Sequence, residues 1–355
     1  MQITKAEVVP VVLNLRHPVQ MGCLTPFTQV TAIFVRIETR QGQSAWGCTV
    51  AHPQLSGDRP AEVIRQLKEC AALAPELHPI NLEYSLGELK QRIPYLCPTA
   101  LCAFDLALHD LLSLAAGMPL YRILGGFRSR IQTSITLPIA PLEESVDLAC
   151  QRASRGFRIL KIMGGLDPEE DVRRVRAIHQ ALPGLTLRLD ADGGYTVQQA
   201  IDVARALHGA LEMLEQPTPE GDLPGLRQVK QASPVPILAD QSLRSPASAL
   251  EIAAQNSADG LSIRLIASGG LRSAQQIDAI ARAAHLTALV SCTIEPALLV
   301  SAGLSLALSS PNMHSVDLDG HLDLLNDPSR AGFRLEDGWL IASEVPGLGY
   351  SVELD

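Results

Sequence analysis

Three acids stand out by type and spacing. Asp190 lies in LRLDAD, Glu215 in MLEQP and Asp240 in ILADQ, and each follows the last by 25 positions. Each also closes a short apolar run that reads as a strand. Carboxylates brought together without a counterion repel one another and take up protons, so a cation among them is the natural resolution. An all-oxygen donor set with positions left for water or substrate suits Mg²⁺. One such acid alone would more often cap the next helix or sit in a solvated loop. Three at a single repeat favour the cation.

The repeat itself comes from the elements that must position these acids. From Ile131 onward one unit recurs: a short apolar run rich in β-branched residues, a polar or glycine-rich loop, then an amphipathic helical pattern. The runs fall at 133–137, 159–162, 185–189, 211–214, 235–239, 261–265, 286–290 and 314–318. Consecutive β/α units bury a parallel sheet on both faces, so eight of them predict an α/β chain closed into a (β/α) barrel. In such a barrel the residues past the strand C-termini converge on one mouth. An open doubly wound sheet is the alternative, but neither G-x-G-x-x-G after a strand nor G-x-x-x-x-G-K-[ST] is present. A helix is expected over 196–208, with Thr196 as N-cap, an apolar stripe of Val197, Ile201, Ala204 and Leu207, and Gly209 as its stop. Ser245-Pro246 opens another in the same way.

The first part of the chain has a different texture. Residues 1–50 alternate as strands, most clearly from Val30 to Arg36, with a hairpin turn at Arg40-Gln41-Gly42. Helical patterns follow at 60–73, 81–91 and 98–116. The organisation expected is an N-terminal α+β domain over 1–127, the barrel over 128–318, and a segment over 319–355 that packs back on the first domain.

Composition sets the outer bounds. A hydrophobic fraction of 46% with 19% charged residues is that of an ordinary globular protein and argues against disorder. No apolar run is expected to reach the length of a membrane span. The opening MQITKAEVVPVVLNL alternates like a strand and lacks the pattern of a secretory leader, so the chain reads as cytoplasmic. Seven cysteines, an odd number without a C-x-x-C pair, imply neither a disulfide framework nor a zinc ribbon. A net charge of -9 without basic clusters argues against nucleic acid or an anionic membrane as partner.

The segments LRLDADGGY, EQP and PILADQS resemble the three metal-ligand segments of the muconate-lactonizing and mandelate racemase branch of the enolase superfamily. ALCAFDLALHDLLSLAAGMPLYRILGG, GFRILKIMGG, LIASGGL and VDLDGHLDLLNDP extend the likeness along almost the whole chain, with a texture like that of dipeptide epimerases. The resemblance implies a (β/α) barrel of enolase-superfamily type, capped by the N-terminal α+β domain together with the C-terminal segment. It implies Asp190, Glu215 and Asp240 as Mg²⁺ ligands, a small-molecule carboxylate as substrate, and substrate-selecting loops at about 16–25 and 48–53. Proteins of this family are often homo-oligomers. Their reaction begins with removal of the proton α to a carboxylate, and the metal stabilises the resulting enediolate.

The resemblance breaks where the proton is handled. The family's base is usually the second lysine of a K-x-K pair on the second strand, opposed across the substrate by a lysine on the sixth. Here the first position reads Lys161-Ile162-Met163 and the other Ser262-Ile263-Arg264. Met163 cannot accept a proton, and Arg264, with a pKa above about 12, stays charged and suits a substrate carboxylate or the enediolate. Lys161, on the same strand face as Met163, is then the expected base; electrostatic support of a bound carboxylate is its other reading. Asp192 stands where the family commonly has Asn, either as an acid of the site or as a loop acid. Gln241 replaces a common Glu, which would leave Arg264 free to turn toward substrate. Thr136, Met163, Asp192, Glu295 and His52 are the candidate substrate contacts. His52 could also carry a proton near neutral pH or be a surface loop residue. Met21, Leu24 and His52 hint at a mixed pocket. Cys292 sits at a strand end without an identifiable His partner, so burial is expected for it.

Three readings of function follow. The first is a Mg²⁺-dependent isomerase or lyase, of cycloisomerase or dehydratase type, with Lys161 and Arg264 as its catalytic pair and one base working on one face. The second is a racemase or epimerase of amino-acid derivatives or dipeptides. That reaction needs a proton donor and acceptor on opposite faces, which Met163 and Arg264 make hard to supply. The third is a metal-dependent binding protein that has lost the chemistry.

Overall fold

Residues 1–20 and 25–354 are described here from a computed structural model. The alternation at the start of the chain builds three antiparallel strands in the order β1 (Ile3–Val19), β2 (Phe27–Thr39) and β3 (Ser44–Ala51). Side chains of a strand point alternately to its two faces. Val30, Ala32 and Phe34 of β2 accordingly join the core shared with the barrel, whereas Ile33, Val35 and Ile37 join a second core under the helices. The turn at Arg40-Gln41-Gly42 forms as expected, with Gly42 at φ 81°.

The expected loops are shorter than the sequence suggests. Residues 16–19 belong to β1, which runs on past the buried Leu13 and Leu15 with Arg16, His17 and Pro18 all exposed and Val19 paired to Phe27. Cys48 to Ala51 likewise belongs to β3. Met21 and Leu24 lie outside the described residues.

Helices α1 (Pro60–Leu73), α2 (Leu82–Arg92) and α3 (Pro98–Ala116) follow. Proline at the first helical position and a left-handed Gly117 at the end delimit α3. Its approach to β3 requires Gly47, where a Cβ would lie 2.0 Å from the Ala103 carbonyl oxygen. By length and composition α3 meets the criterion for a membrane span, contrary to the expectation from the sequence. Most of it is buried within the molecule, and it carries Asp105, His109 and Asp110 into the core.

The barrel begins with one run broken at Ser134 into β4 (Arg130–Thr133) and β5 (Ile135–Leu137). It continues through β6 (Ile159–Met163), β7 (Thr186–Asp190), β8 (Met213–Glu215), β9 (Ile237–Ala239), β10 (Gly260–Arg264), β11 (Thr287–Ser291) and β12 (Ser315–Val316). Strands β5 to β11 pair in parallel in chain order. The ring closes where β12 pairs with β4 and Ser291 bridges to Asp317. The eight units and the barrel are therefore as the sequence predicts. Thr196 and Ser245 both form capping boxes at helix starts. The helix Val197–Ala206 stops before Gly209, with Leu207 as its C-cap.

After β12 the chain forms β13 (Ser329–Arg330), β14 (Phe333–Glu336), β15 (Trp339–Ala342) and β16 (Ser351–Val352). β15 pairs antiparallel with β4, while Leu348 and Tyr350 bond Asp110 of α3. The C-terminal segment thus touches both the barrel and the N-terminal layer.

Candidate active site

Parallel register brings the first acids together: Met163 of β6 lies opposite Asp190 of β7, which lies opposite Glu215 of β8. Asp240 follows β9 directly. One carboxylate oxygen from each of the three falls within 4.8 Å of the others, and all three side chains are buried. Their loops are held by the backbone. Asp192 N donates to Asp190 Oδ1 at 3.0 Å. Gln216, fully buried with φ 35°, accepts at Oε1 from the amides of Asp240 (2.9 Å) and Ser242 (3.2 Å). Its Nε2 donates to the Thr218 carbonyl at 2.9 Å and to Ser242 Oγ at 3.0 Å.

Two basic groups lie against these acids. Lys161 Nζ is 2.9 Å from Asp190 Oδ2, 2.8 Å from Glu215 Oε2 and 3.4 Å from Asp317 Oδ2. Arg264 Nε is 2.8 Å from Asp240 Oδ1. These are ion pairs by distance, but they lack hydrogen-bond alignment: both Glu215 oxygens, Asp240 Oδ1, Asp317 Oδ2 and Arg264 Nε are buried without an aligned partner. A buried carboxylate set with unmet lone pairs is what an oxygen-coordinated divalent cation completes. Burial and the mutual repulsion of the acids push Glu215 and Asp240 above the usual carboxylate range. Burial opposes the charge on Lys161, yet Asp190, Glu215, Asp317 and Asp240 outweigh it and hold the ammonium well above its ordinary pKa.

Asp317 adds a further acid. Its Oδ1 accepts from Ser134 Oγ and from Arg188 Nη1, both at 2.6 Å. Arg188 is fully buried, with Nε on Glu212 at 2.7 Å and Nη2 on Ser315 Oγ. Burial would raise Asp317, but the charges of Arg188 and Lys161 keep its carboxyl below the ordinary value.

Beside the cradle lies a cavity of about 590 Å³, walled by Asp192, Gln241, Arg264 and Glu295 from the barrel and by Val50 and Gln54 from the N-terminal layer. Glu220 and Arg244 form an ion pair at its edge. Burial, together with Asp190 and Asp240, pushes Asp192 up to about 7. Burial also pushes Glu295 up to about 7 against the opposing Thr293 amide and Arg264 charge.

Residues 3–125 match the family model described as mandelate racemase / muconate lactonizing enzyme, N-terminal domain, and residues 144–355 match the enolase C-terminal domain-like model. The chain belongs to the enolase superfamily. It is 38% identical over 265 residues to an L-Lys-D/L-Arg epimerase of Methylococcus capsulatus, covering 74% of each chain. It is 32% identical over 321 residues to a hydrophobic dipeptide epimerase of Enterococcus faecalis, covering 89% of this chain and 90% of the other. The crystal structure of the dipeptide epimerase from Enterococcus faecalis V583 complexed with Mg and L-Leu-L-Tyr superposes with a TM-score of 0.95 at 30% identity, over 99% of this chain and 100% of that one. This chain is accordingly a metal-dependent enzyme of the superfamily, not a binding protein without chemistry, and Mg²⁺ is its cofactor; Asp190, Glu215 and Asp240 would hold it.

Of the residues singled out in the sequence, Asp192, Arg264 and Glu295 line the cavity and Lys161 lies on the cradle. Three others are not brought to the cavity wall. Met163 is buried next to Asp190 in the sheet, and its carbonyl accepts from Arg174 at 2.8 Å. The Thr136 amide donates to Asp319 Oδ2 at 2.7 Å. His52 stacks on Phe27 with ring centroids 4.3 Å apart, and its Nδ1 accepts from the Gln54 amide at 3.3 Å. The expectation that Gln241 leaves Arg264 free is also corrected: Gln241 Nε2 bonds Asp192, while Arg264 turns to Asp240 instead. Cys292 accepts at Sγ from the Gly320 amide at 3.2 Å, and burial pushes its thiol well up.

Gln216, Arg188 and Asp317 escaped the sequence reading. Asp317 obeys the strand-end rule that exposed the other acids, but it falls outside their 25-residue ladder. Gln216 and Arg188 carry no signal of type or spacing.

Proposed function

We propose that this enzyme epimerises the α-carbon of a dipeptide or related amino-acid derivative. The observation that carries the reading is an intact acidic cradle with Lys161 against it and a cavity beside it, in a chain whose near-full-length relatives include several dipeptide epimerases and an N-succinyl-L-Arg/Lys racemase. Bound Mg²⁺ supplies the positive charge that stabilises an enediolate. Lys161 stands on one side of the cradle, held as an ammonium by the acids. The charge of Mg²⁺ on the same acids would offset that pull and let it lose its proton, so that it draws the substrate proton, or as the ammonium it holds the carboxylate. Return of a proton to the opposite face needs a second group, because Arg264 stays charged. Glu295, in the cavity wall with Arg264, holds and releases a proton near neutrality and is assigned that part.

A second reading is favoured by Met163 and Arg264, neither of which exchanges a proton. Lys161 would then work alone on one face, as in cycloisomerisation or elimination. A panel of dipeptides and acylated amino acids incubated with Mg²⁺ in deuterium oxide separates the two. Epimerisation puts deuterium on the α-carbon and inverts it, and Glu295→Gln should slow inversion more than exchange. Exchange with retention, or an unsaturated product, supports the one-base reading instead. Absence of exchange and of product across the panel would overturn both.

A further inference from the structure

The site's lysine lies against two of the three acids that would hold the metal. Lys161 Nζ reaches Asp190 Oδ2 and Glu215 Oε2 at 2.9 and 2.8 Å, and both acids are buried. Mg²⁺ takes its oxygens at about 2.0 to 2.1 Å and demands near-octahedral geometry, so an ammonium cannot keep both contacts beside it. Two cations at that range also repel strongly in a site with little water.

We infer that Lys161 is a resident cation displaced when the metal enters, and that Asp317 is the positioning residue that receives it. Asp317 Oδ2 lies 3.4 Å from Nζ and has no aligned hydrogen bond of its own. Its other oxygen is pinned by Ser134 and Arg188, each at 2.6 Å. Arg188 is fixed in turn by Glu212 and Ser315. The carboxylate therefore cannot swing away, and its free oxygen faces the lysine. A small shift of Nζ, from the cradle toward this oxygen, exchanges two acidic partners for one and opens the metal position. Without that seat the buried ammonium has only the ligand oxygens to compensate its charge, and it stays there as a competitor.

The inference is tested by titrating Mg²⁺ calorimetrically into chelator-treated wild type, Lys161→Met, Asp317→Asn and the double variant. Lys161→Met should bind Mg²⁺ about tenfold more tightly, and Asp317→Asn about tenfold more weakly. In the Lys161→Met background the Asp317→Asn effect should shrink to about twofold or less, because the acid acts through the lysine. Equal weakening in both backgrounds would mean that Asp317 attracts the metal directly, and would overturn the proposal. So would a Lys161→Met variant with wild-type affinity. Since Asp317→Asn removes one of the two carboxylate charges that face the buried Arg188 and so weakens the fold, crystal structures of the wild type with and without Mg²⁺ give an independent check. Nζ should move from Glu215 onto Asp317, and a lysine that leaves for any other acceptor would refute the assignment.

Discussion

A neutral side chain does much of the holding at the metal site. Gln216 connects the Glu215 loop to the Asp240 loop through three hydrogen bonds and holds its own loop by a fourth, to the Thr218 carbonyl, and its φ of 35° is a conformation that residues other than glycine seldom adopt. Replacing it by alanine strips two amides and two acceptors of buried partners, at about 1 to 3 kcal/mol for each group left unsatisfied. Gln216→Ala should therefore lower the melting temperature, and it should also reduce the rise in melting temperature that saturating Mg²⁺ produces. A variant that loses stability but keeps the full Mg²⁺ response would show that Gln216 supports the fold and not the ligands. The contrast with the three acids explains what sequence can reveal. Asp190, Glu215 and Asp240 were legible because their chemistry is written in residue type and their convergence in a constant period. The contribution of Gln216 lies in a backbone angle and in amide geometry, which no spacing encodes. The position of Lys161 was legible too, but its three acidic partners were not, since they depend on where four strands end relative to one another.

Elements were read most accurately where a cap marks them. Pro98, Thr196 and Ser245 each open a helix at the expected residue, because an orphan amide at a helix start selects a few residue types. β1 runs through Val19 into a segment the sequence presents as a loop, because Arg16, His17 and Pro18 are all exposed and carry no alternation, while Val19 pairs with Phe27 past a register shift. One cap lies beyond sequence reasoning altogether, since it joins two layers. Asp105 of α3 accepts from the amides of Leu271 (2.5 Å) and Arg272 (3.3 Å), the first residues of the barrel helix Leu271–Ala283. The same carboxylate faces His109 Nδ1 at 3.3 Å. Burial alone would lower His109, but the Asp105 charge outweighs it and raises its pKa. Asp105→Ala should cost about 3 kcal/mol, combining a lost cap with a buried histidine deprived of its acid. Asp105→Asn keeps one acceptor and should cost less. Gly270→Ala should be as harmful as the alanine at 105, because Gly270 has φ 109° and a Cβ there would lie 2.4 Å from the Asp105 carboxylate. Urea unfolding midpoints measure all three, and an Asp105→Ala variant within about 0.5 kcal/mol of wild type would remove the cap from this account.

At the scale of the whole molecule, one buried acid gathers several of the bonds that tie the C-terminal segment to the N-terminal layer. Asp110 Oδ1 accepts from the Leu348 amide at 2.8 Å, and Oδ2 accepts from the Tyr350 hydroxyl at 2.5 Å and the Trp46 amide at 3.3 Å. Burial pushes the carboxyl up to about 6, although all three donors favour its charged form. An acid whose pKa is higher folded than unfolded takes up a proton on folding. Its contribution is therefore fully present below the unfolded value near 3.9 and is lost as pH rises through about 6. A shift of this size corresponds to about 3 kcal/mol between those limits. Asn cannot titrate, so the margin of wild type over Asp110→Asn should narrow as pH rises from about 4 to 6 and stay constant above that. Thermal unfolding of both proteins across this range reads the margin directly. If it widens with pH instead, the three donors outweigh burial, the acid is held ionised, and the link between the two ends of the chain is a charged one.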